Sequence, residues 1–144
     1  MSDFPPMMRD QRLIDDDQLR VTAAFHFAFA GLAVLGIIGL VVSYFMIDNY
    51  LSSPELWRIE PLAPPEHVLR VQMGFAYAFA VFVLVGVVSC NIASGVCIRQ
   101  RKYRMFSLGI AALNSLLVPV GTALACYTYV VLMRDSVRDT YPED

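Results

Sequence analysis

Three side chains, His26, Asn91 and Asn114, are the most polar groups inside otherwise apolar stretches of this 144-residue chain. An imidazole can move a proton near neutral pH or ligate a metal. A carboxamide offers both a donor and an acceptor edge. An ionisable group embedded among apolar residues is a functional candidate by default. Counted at about 1.5 Å per residue from the nearest polar ends of their segments, the three fall roughly 7–14 Å deep at similar heights. They are therefore expected to meet. The favoured reading of such a cluster is helix-to-helix glue, worth about 0.6 kcal/mol per contact on average; a proton-linked or ligand role is the alternative.

Little else in the sequence carries chemistry. His26 and His67 are the only histidines, and they belong to opposite ends of their segments, so one chain cannot offer a bis-histidine haem site. Cys90, Cys97 and Cys126 all lie in apolar runs; an odd number there reads as packing, not as a disulfide framework. No nucleophile–base pair, paired carboxylates, glycine-rich phosphate loop or Cys/His metal spacing is found. No catalytic, cofactor-binding or metal site is expected, and no cofactor. Asp15, Asp16 and Asp17 are read as carboxylates opening a helix. A net charge of −2 gives no footprint for nucleic acid.

The elements that position these residues follow from where charge is missing. The chain is 57% hydrophobic and 17% charged. Residues 21–47, 71–98 and 105–133 contain no Asp, Glu, Lys or Arg. Each run exceeds the ~20 apolar residues needed to cross about 30 Å of hydrocarbon, and none has the charged face of a soluble core helix. The expected fold is all-α, an integral membrane bundle of three transmembrane helices at about 19–47, 65–98 and 105–133. Residues 1–18 form a polar N-terminal segment in which Pro5 and Pro6 discourage helix. That segment is too long and acidic to begin a signal peptide, so the first helix is expected to be retained. A Pro-rich interfacial linker with Trp57 spans 48–66, a basic turn spans 99–104, and 134–144 is a polar, exposed tail.

Small residues mark where helices approach closely in lipid. In the third run, Ser107, Ala111, Asn114, Val118, Gly121, Ala125 and Thr128 share one stripe, predicted to face the other two helices. Ala78, Phe82, Gly86, Cys90, Ala93 and Cys97 form the corresponding seam on the second. The first has two: Thr22, His26, Ala30, Ala33, Ile37 and Tyr44, and, nearly opposite, Ala24, Ala28, Gly31, Leu35 and Gly39. The second seam points to a homo-oligomer or a larger membrane complex. Pro119, followed by Val120, Gly121 and Thr122, is expected to kink the third helix, with Thr122 or Ser115 serving the freed carbonyls.

Three crossings place seven basic residues with the N-terminus (Arg9, Arg12, Arg20, Arg99, Arg101, Lys102 and Arg104) and four on the other side (Arg58, Arg70, Arg134 and Arg138). This favours a cytoplasmic N-terminus and a C-terminus outside. Arg99, Arg101, Lys102 and Arg104 are expected to contact anionic lipid.

Two regions resemble an uncharacterised family of small bacterial three-pass membrane proteins. One is Phe25-His26-Phe27 followed by Gly31-Leu32, where the family has Phe-His-Tyr and then Gly-Leu. The other is Arg101-Lys102-Tyr103, Leu113-Asn114, Pro119-Val120-Gly121-Thr122, Thr128, and Leu132-Met133-Arg134 before Val137. The family's Pro-Phe-Gly-Thr has Val120 here in place of Phe, and its Arg-Pro-Ser-Val ending has Asp135 in place of Pro. The resemblance implies three helices in the bacterial inner membrane and no particular activity. The expected function is a non-enzymatic interaction, accessory or assembly subunit working by helix packing. The alternative is a small oligomeric channel or transporter using His26, Asn91, Asn114 and the Pro119 kink.

Overall fold

A computed structural model describes residues 6–53 and 64–141, with side chains from residue 11 onward. Those residues are all-helical: α1 (Pro6–Leu51), α2 (Glu66–Gln100), α3 (Arg104–Asn114), α4 (Val120–Leu132) and the short α5 (Asp135–Arg138). Two of them, α1 and α2, are long and apolar enough to cross a membrane. Most of the linker, with Trp57 and Arg58, lies outside the described residues.

The first helix starts earlier than expected, at Pro6. Proline is tolerated in the first turn, where its missing N–H has no intrahelical partner to lose. Asp15, Asp16 and Asp17 are consequently inside a helix and not at its start.

The third apolar run departs most from expectation. It is not one helix over 105–133 but two, α3 of 11 residues and α4 of 13, broken between Asn114 and Val120. At about 1.5 Å per residue the arms are ~17 and ~20 Å long, and neither reaches across a ~30 Å hydrocarbon layer. They fold against each other as a hairpin: Leu108 near the start of α3 shares a buried cluster with Val131 and Leu132 at the end of α4. At the tip, the Leu117 N–H donates to the Asn114 carbonyl (2.9 Å) and the Gly121 N–H to the Leu117 carbonyl (2.8 Å). The Thr122 hydroxyl donates to the Ser115 carbonyl (2.9 Å). Gly121 is required by the close approach, since a Cβ there would sit 2.1 Å from the Asn114 oxygen.

Because the hairpin doubles back, the chain's C-terminal end returns to its N-terminal segment. The Arg134 guanidinium donates to the Asp15 carboxylate (3.0 Å) and to the Gln18 side-chain amide oxygen Oε1 (2.8 Å). Three full crossings would have put these residues at opposite ends. The tail is also not simply exposed: Val137 and Tyr141 are buried in a cluster with Leu19, Ala23 and Ile98. Burial pushes the Tyr141 phenol up to about 12, against a smaller lowering by Arg101 and Arg104.

The described residues divide into two compact units. The first combines the chain up to Gly31 with Ser89 onward, and the second is Leu32–Val88. The second unit pairs the C-terminal half of α1 with the N-terminal half of α2. Ser43 donates to the Tyr77 hydroxyl (3.1 Å), and the rings of Tyr44 and Tyr77 meet edge-on at 5.4 Å. Arg70 joins Asp48 (3.1 Å) and Glu66 (2.9 Å). Phe45, Phe75, Phe79 and Phe82 are all exposed.

On α1, the seam of Thr22, His26, Ala30 and Ala33 is buried, with Ile37 and Tyr44 half-buried. On α2, the small-residue seam is not the packed face: Ala78, Phe82, Gly86 and Ala93 are exposed, and the buried residues are Asn91, Ser94, Gly95 and Ile98. When a helix is apolar all round, small residues occur on every side. The polar groups set its inward face, because they need partners away from solvent.

Candidate functional site

Four helices of the first unit each contribute one polar side chain to a buried cluster. His26 on α1 and Asn91 on α2 are fully buried, as is Thr128 on α4, and Asn114 at the end of α3 is 2% exposed. His26 Nδ1 lies 2.9 Å from Asn91 Oδ1. The two asparagines form a reciprocal amide pair: Asn91 Nδ2 donates to Asn114 Oδ1 (3.1 Å) and Asn114 Nδ2 to Asn91 Oδ1 (2.8 Å). The Thr128 hydroxyl lies 3.3 Å from His26 Nε2.

This arrangement selects a tautomer. Asn91 Oδ1 can only accept, so a neutral His26 carries its proton on Nδ1 and takes the Thr128 hydroxyl proton on Nε2. Both ring nitrogens are then engaged, and neither is free for a metal or a substrate. What the cluster does is join four helices through uncharged hydrogen bonds, at the level where the hairpin turns back.

The structure thus brings together His26, Asn91 and Asn114 and adds Thr128, which sequence reasoning placed on the packing stripe but not in the cluster. The signal was available: Thr128 is one of two threonines in α4 and falls at the stripe's spacing from Asn114. Of the stripe itself, Ser107, Ala111, Asn114, Gly121, Ala125 and Thr128 are buried, but Val118 is 77% exposed. Val118 belongs to the break at the hairpin tip, where helical spacing no longer applies. Pro119 marks the end of that break and not a bend within one helix.

Further polar side chains are buried beside the apolar cluster of Leu19, Ala23, Ile98, Leu108, Val131 and Leu132. Thr22 donates to the Gln18 carbonyl (2.8 Å). Ser94 and Ser107 are fully buried, and their hydroxyls have no partner among the described residues. At the end of the bundle two of the three Asp residues pair with basic side chains, Asp15 with Arg134 and Asp16 with Arg101, and Gln11 also donates to Asp15 (3.2 Å). Of the basic turn, Arg99 and Lys102 are exposed and Arg101 and Arg104 half-buried.

The basic turn closes α2 in a Schellman arrangement. Lys102 N–H donates to the Cys97 carbonyl (3.0 Å) and Arg101 N–H to the Ile98 carbonyl (3.2 Å). The left-handed residue this motif needs is ordinarily glycine. Here it is Arg101, with φ 53°, at a cost of roughly 1–2 kcal/mol.

No protein-family model, curated protein or solved structure matches the chain.

Proposed function

We propose that this chain is a small, non-enzymatic protein of the bacterial inner membrane that serves as an interaction, accessory or assembly subunit through helix packing. In this reading α1 and α2 cross the bilayer, and the α3–α4 hairpin enters and leaves by one face. One observation carries it. In the first unit polar side chains are buried beside the apolar core while large apolar ones face outward: His26, Asn91, Asn114, Thr22, Ser94, Ser107 and Thr128 are buried, whereas Phe25, Leu113, Leu116, Val118 and Val130 are exposed. Water favours the opposite distribution. Lipid tolerates an apolar exterior and rewards buried polar pairs, and it requires the hairpin tip to satisfy its backbone internally.

The orientation follows the positive-inside tendency. The hairpin moves Arg134 and Arg138 to the side of the basic turn, leaving Arg70 on the other. Both ends of the chain then lie in the cytoplasm. The packing role is supported by the second α1 seam, Ala24, Ala28, Gly31, Leu35 and Gly39, which is exposed along its length. A Cβ at Gly31 or Gly39 would meet nothing within 4 Å. The resemblance to small bacterial three-pass proteins supports the same class, with the third pass replaced by a hairpin.

The test is purification of the tagged full-length chain in mild detergent. A stoichiometric partner or a defined homo-oligomer is expected; a monodisperse monomer without partner would remove the packing role. A second reading, a small channel or transporter, is favoured by the buried Ser94 and Ser107 hydroxyls, which have no partner among the described residues. Flux through wild-type, His26→Ala and Asn114→Ala proteins in liposomes decides it, and equal flux in all three would eliminate it.

A further inference from the structure

A groove of about 550 Å³ opens between α1 and the end of α2, within the first unit. It has two chemically distinct halves. One is cationic: Arg20, Arg99 and Arg101 line it with a single carboxylate, Asp16. Asp16 is already held by Arg101. Arg20 and Arg99 are exposed and have no ion-pair partner among the described residues. The other half is apolar, formed by Ala24 and Phe27 among others. The Phe27 ring lies directly over Gly95, where an added Cβ would meet three ring carbons at 3.0–3.2 Å. Glycine at 95 is what lets that ring close the groove wall.

We propose that this groove binds one anionic phospholipid, its phosphodiester held by Arg20 and Arg99 and its acyl chain laid against Ala24 and Phe27. Guanidinium forks match phosphate oxygens in shape and charge. The apolar half distinguishes a lipid from a free phosphate, which would have no use for it. Arg101 acts as a positioning residue. Its left-handed backbone and its pairing with Asp16 neutralise the one acid in the groove and fix the turn from which Arg99 extends. The proposal rests on the membrane reading above and narrows the general lipid contact of the basic turn to two side chains.

The test is native mass spectrometry of the full-length protein released from mild detergent, titrated with phosphatidylglycerol or phosphatidylcholine of equal chain length. One phosphatidylglycerol per chain is expected to be retained, with phosphatidylcholine held about tenfold or more weakly. The Arg20→Gln/Arg99→Gln double variant should lose phosphatidylglycerol about tenfold, with helicity unchanged. Lys102→Gln, in the same turn but outside the groove, should retain it. Equal retention of both lipids, an unaffected double variant, or an equal loss in Lys102→Gln would overturn the site. So would displacement by glycerol phosphate at concentrations matching the lipid. A chain that needs detergent but fails these arms sinks only the lipid site; one soluble without detergent sinks the membrane reading itself.

Discussion

Arg134, at the end of the fourth helix, reaches back across 119 positions of sequence to the Asp15 carboxylate at 3.0 Å. The Asp15 side chain is 3% exposed and that of Arg134 35%, so the acid is the buried partner. Among the described residues, removing the arginine takes the only counter-charge from a buried carboxylate that has one oxygen unpaired and would keep just the Gln11 amide on the other. Arg134→Ala is expected to destabilise the protein by roughly 2–3 kcal/mol, below the usual range for a stranded buried charge because the guanidinium is partly solvated. Asp15→Asn in the same background should recover part of the loss. Unfolding of the detergent-solubilised protein by increasing denaturing detergent measures both.

The hairpin depends on close approach at one glycine. A Cβ at Gly121 would overlap the Asn114 carbonyl and lie 2.8 Å from the Leu117 side chain. Gly121→Ala should cost about 3 kcal/mol, the upper end of overpacking. Gly109 on the same hairpin has open space around it, so Gly109→Ala should be neutral or stabilising by about 0.5–1 kcal/mol. Equal effects of the two would mean the tip does not close as described.

The amide pair predicts a coupling energy. Asn91 bonds both His26 and Asn114, so Asn91→Ala should cost more than Thr128→Val, which loses one 3.3 Å contact. A double-mutant cycle between Asn91 and Asn114 should give about 0.6–1.7 kcal/mol. A coupling indistinguishable from zero would show that the two amides are not joined.

Tyr141 gives a pH signature. Burial raises its phenol to about 12 from 10.0, so below pH 10 it is neutral in both folded and unfolded chains and contributes no slope. Between pH 10 and 12 the unfolded chain releases the proton and the folded chain retains it. Stability therefore falls as pH rises, by up to about 2–3 kcal/mol at the top of the window. Tyr141→Phe should remove that part of the alkaline loss, read as the difference between the two unfolding curves.

Much of this was legible in the residues, for definite reasons. Missing charge over 21–47 and 71–98 predicts long apolar helices because solvation alone decides it. The buried face of α1 was readable because Thr22 and His26 mark it. The hairpin was not, because a 29-residue apolar run fits one crossing as well as two short arms. Its signals were local: Asn114 with Ser115, then Pro119 and a glycine that must pack against a carbonyl. Small residues do not mark the buried face of α2, because they occur all round it, whereas Asn91 and Ser94 do. Arg134 looked like the far end of a span only because its partner, Asp15, is remote in sequence.

The central claim is that the third apolar run turns back, leaving both ends of the chain on one side. It is tested most directly by a membrane-impermeant maleimide on a cysteine-free background carrying a single cysteine, Gln11→Cys or Asp139→Cys. The account predicts that both are protected in intact spheroplasts and both react in inverted vesicles. Reaction of Asp139→Cys in spheroplasts, with Gln11→Cys still protected, would mean three full crossings and contradict it.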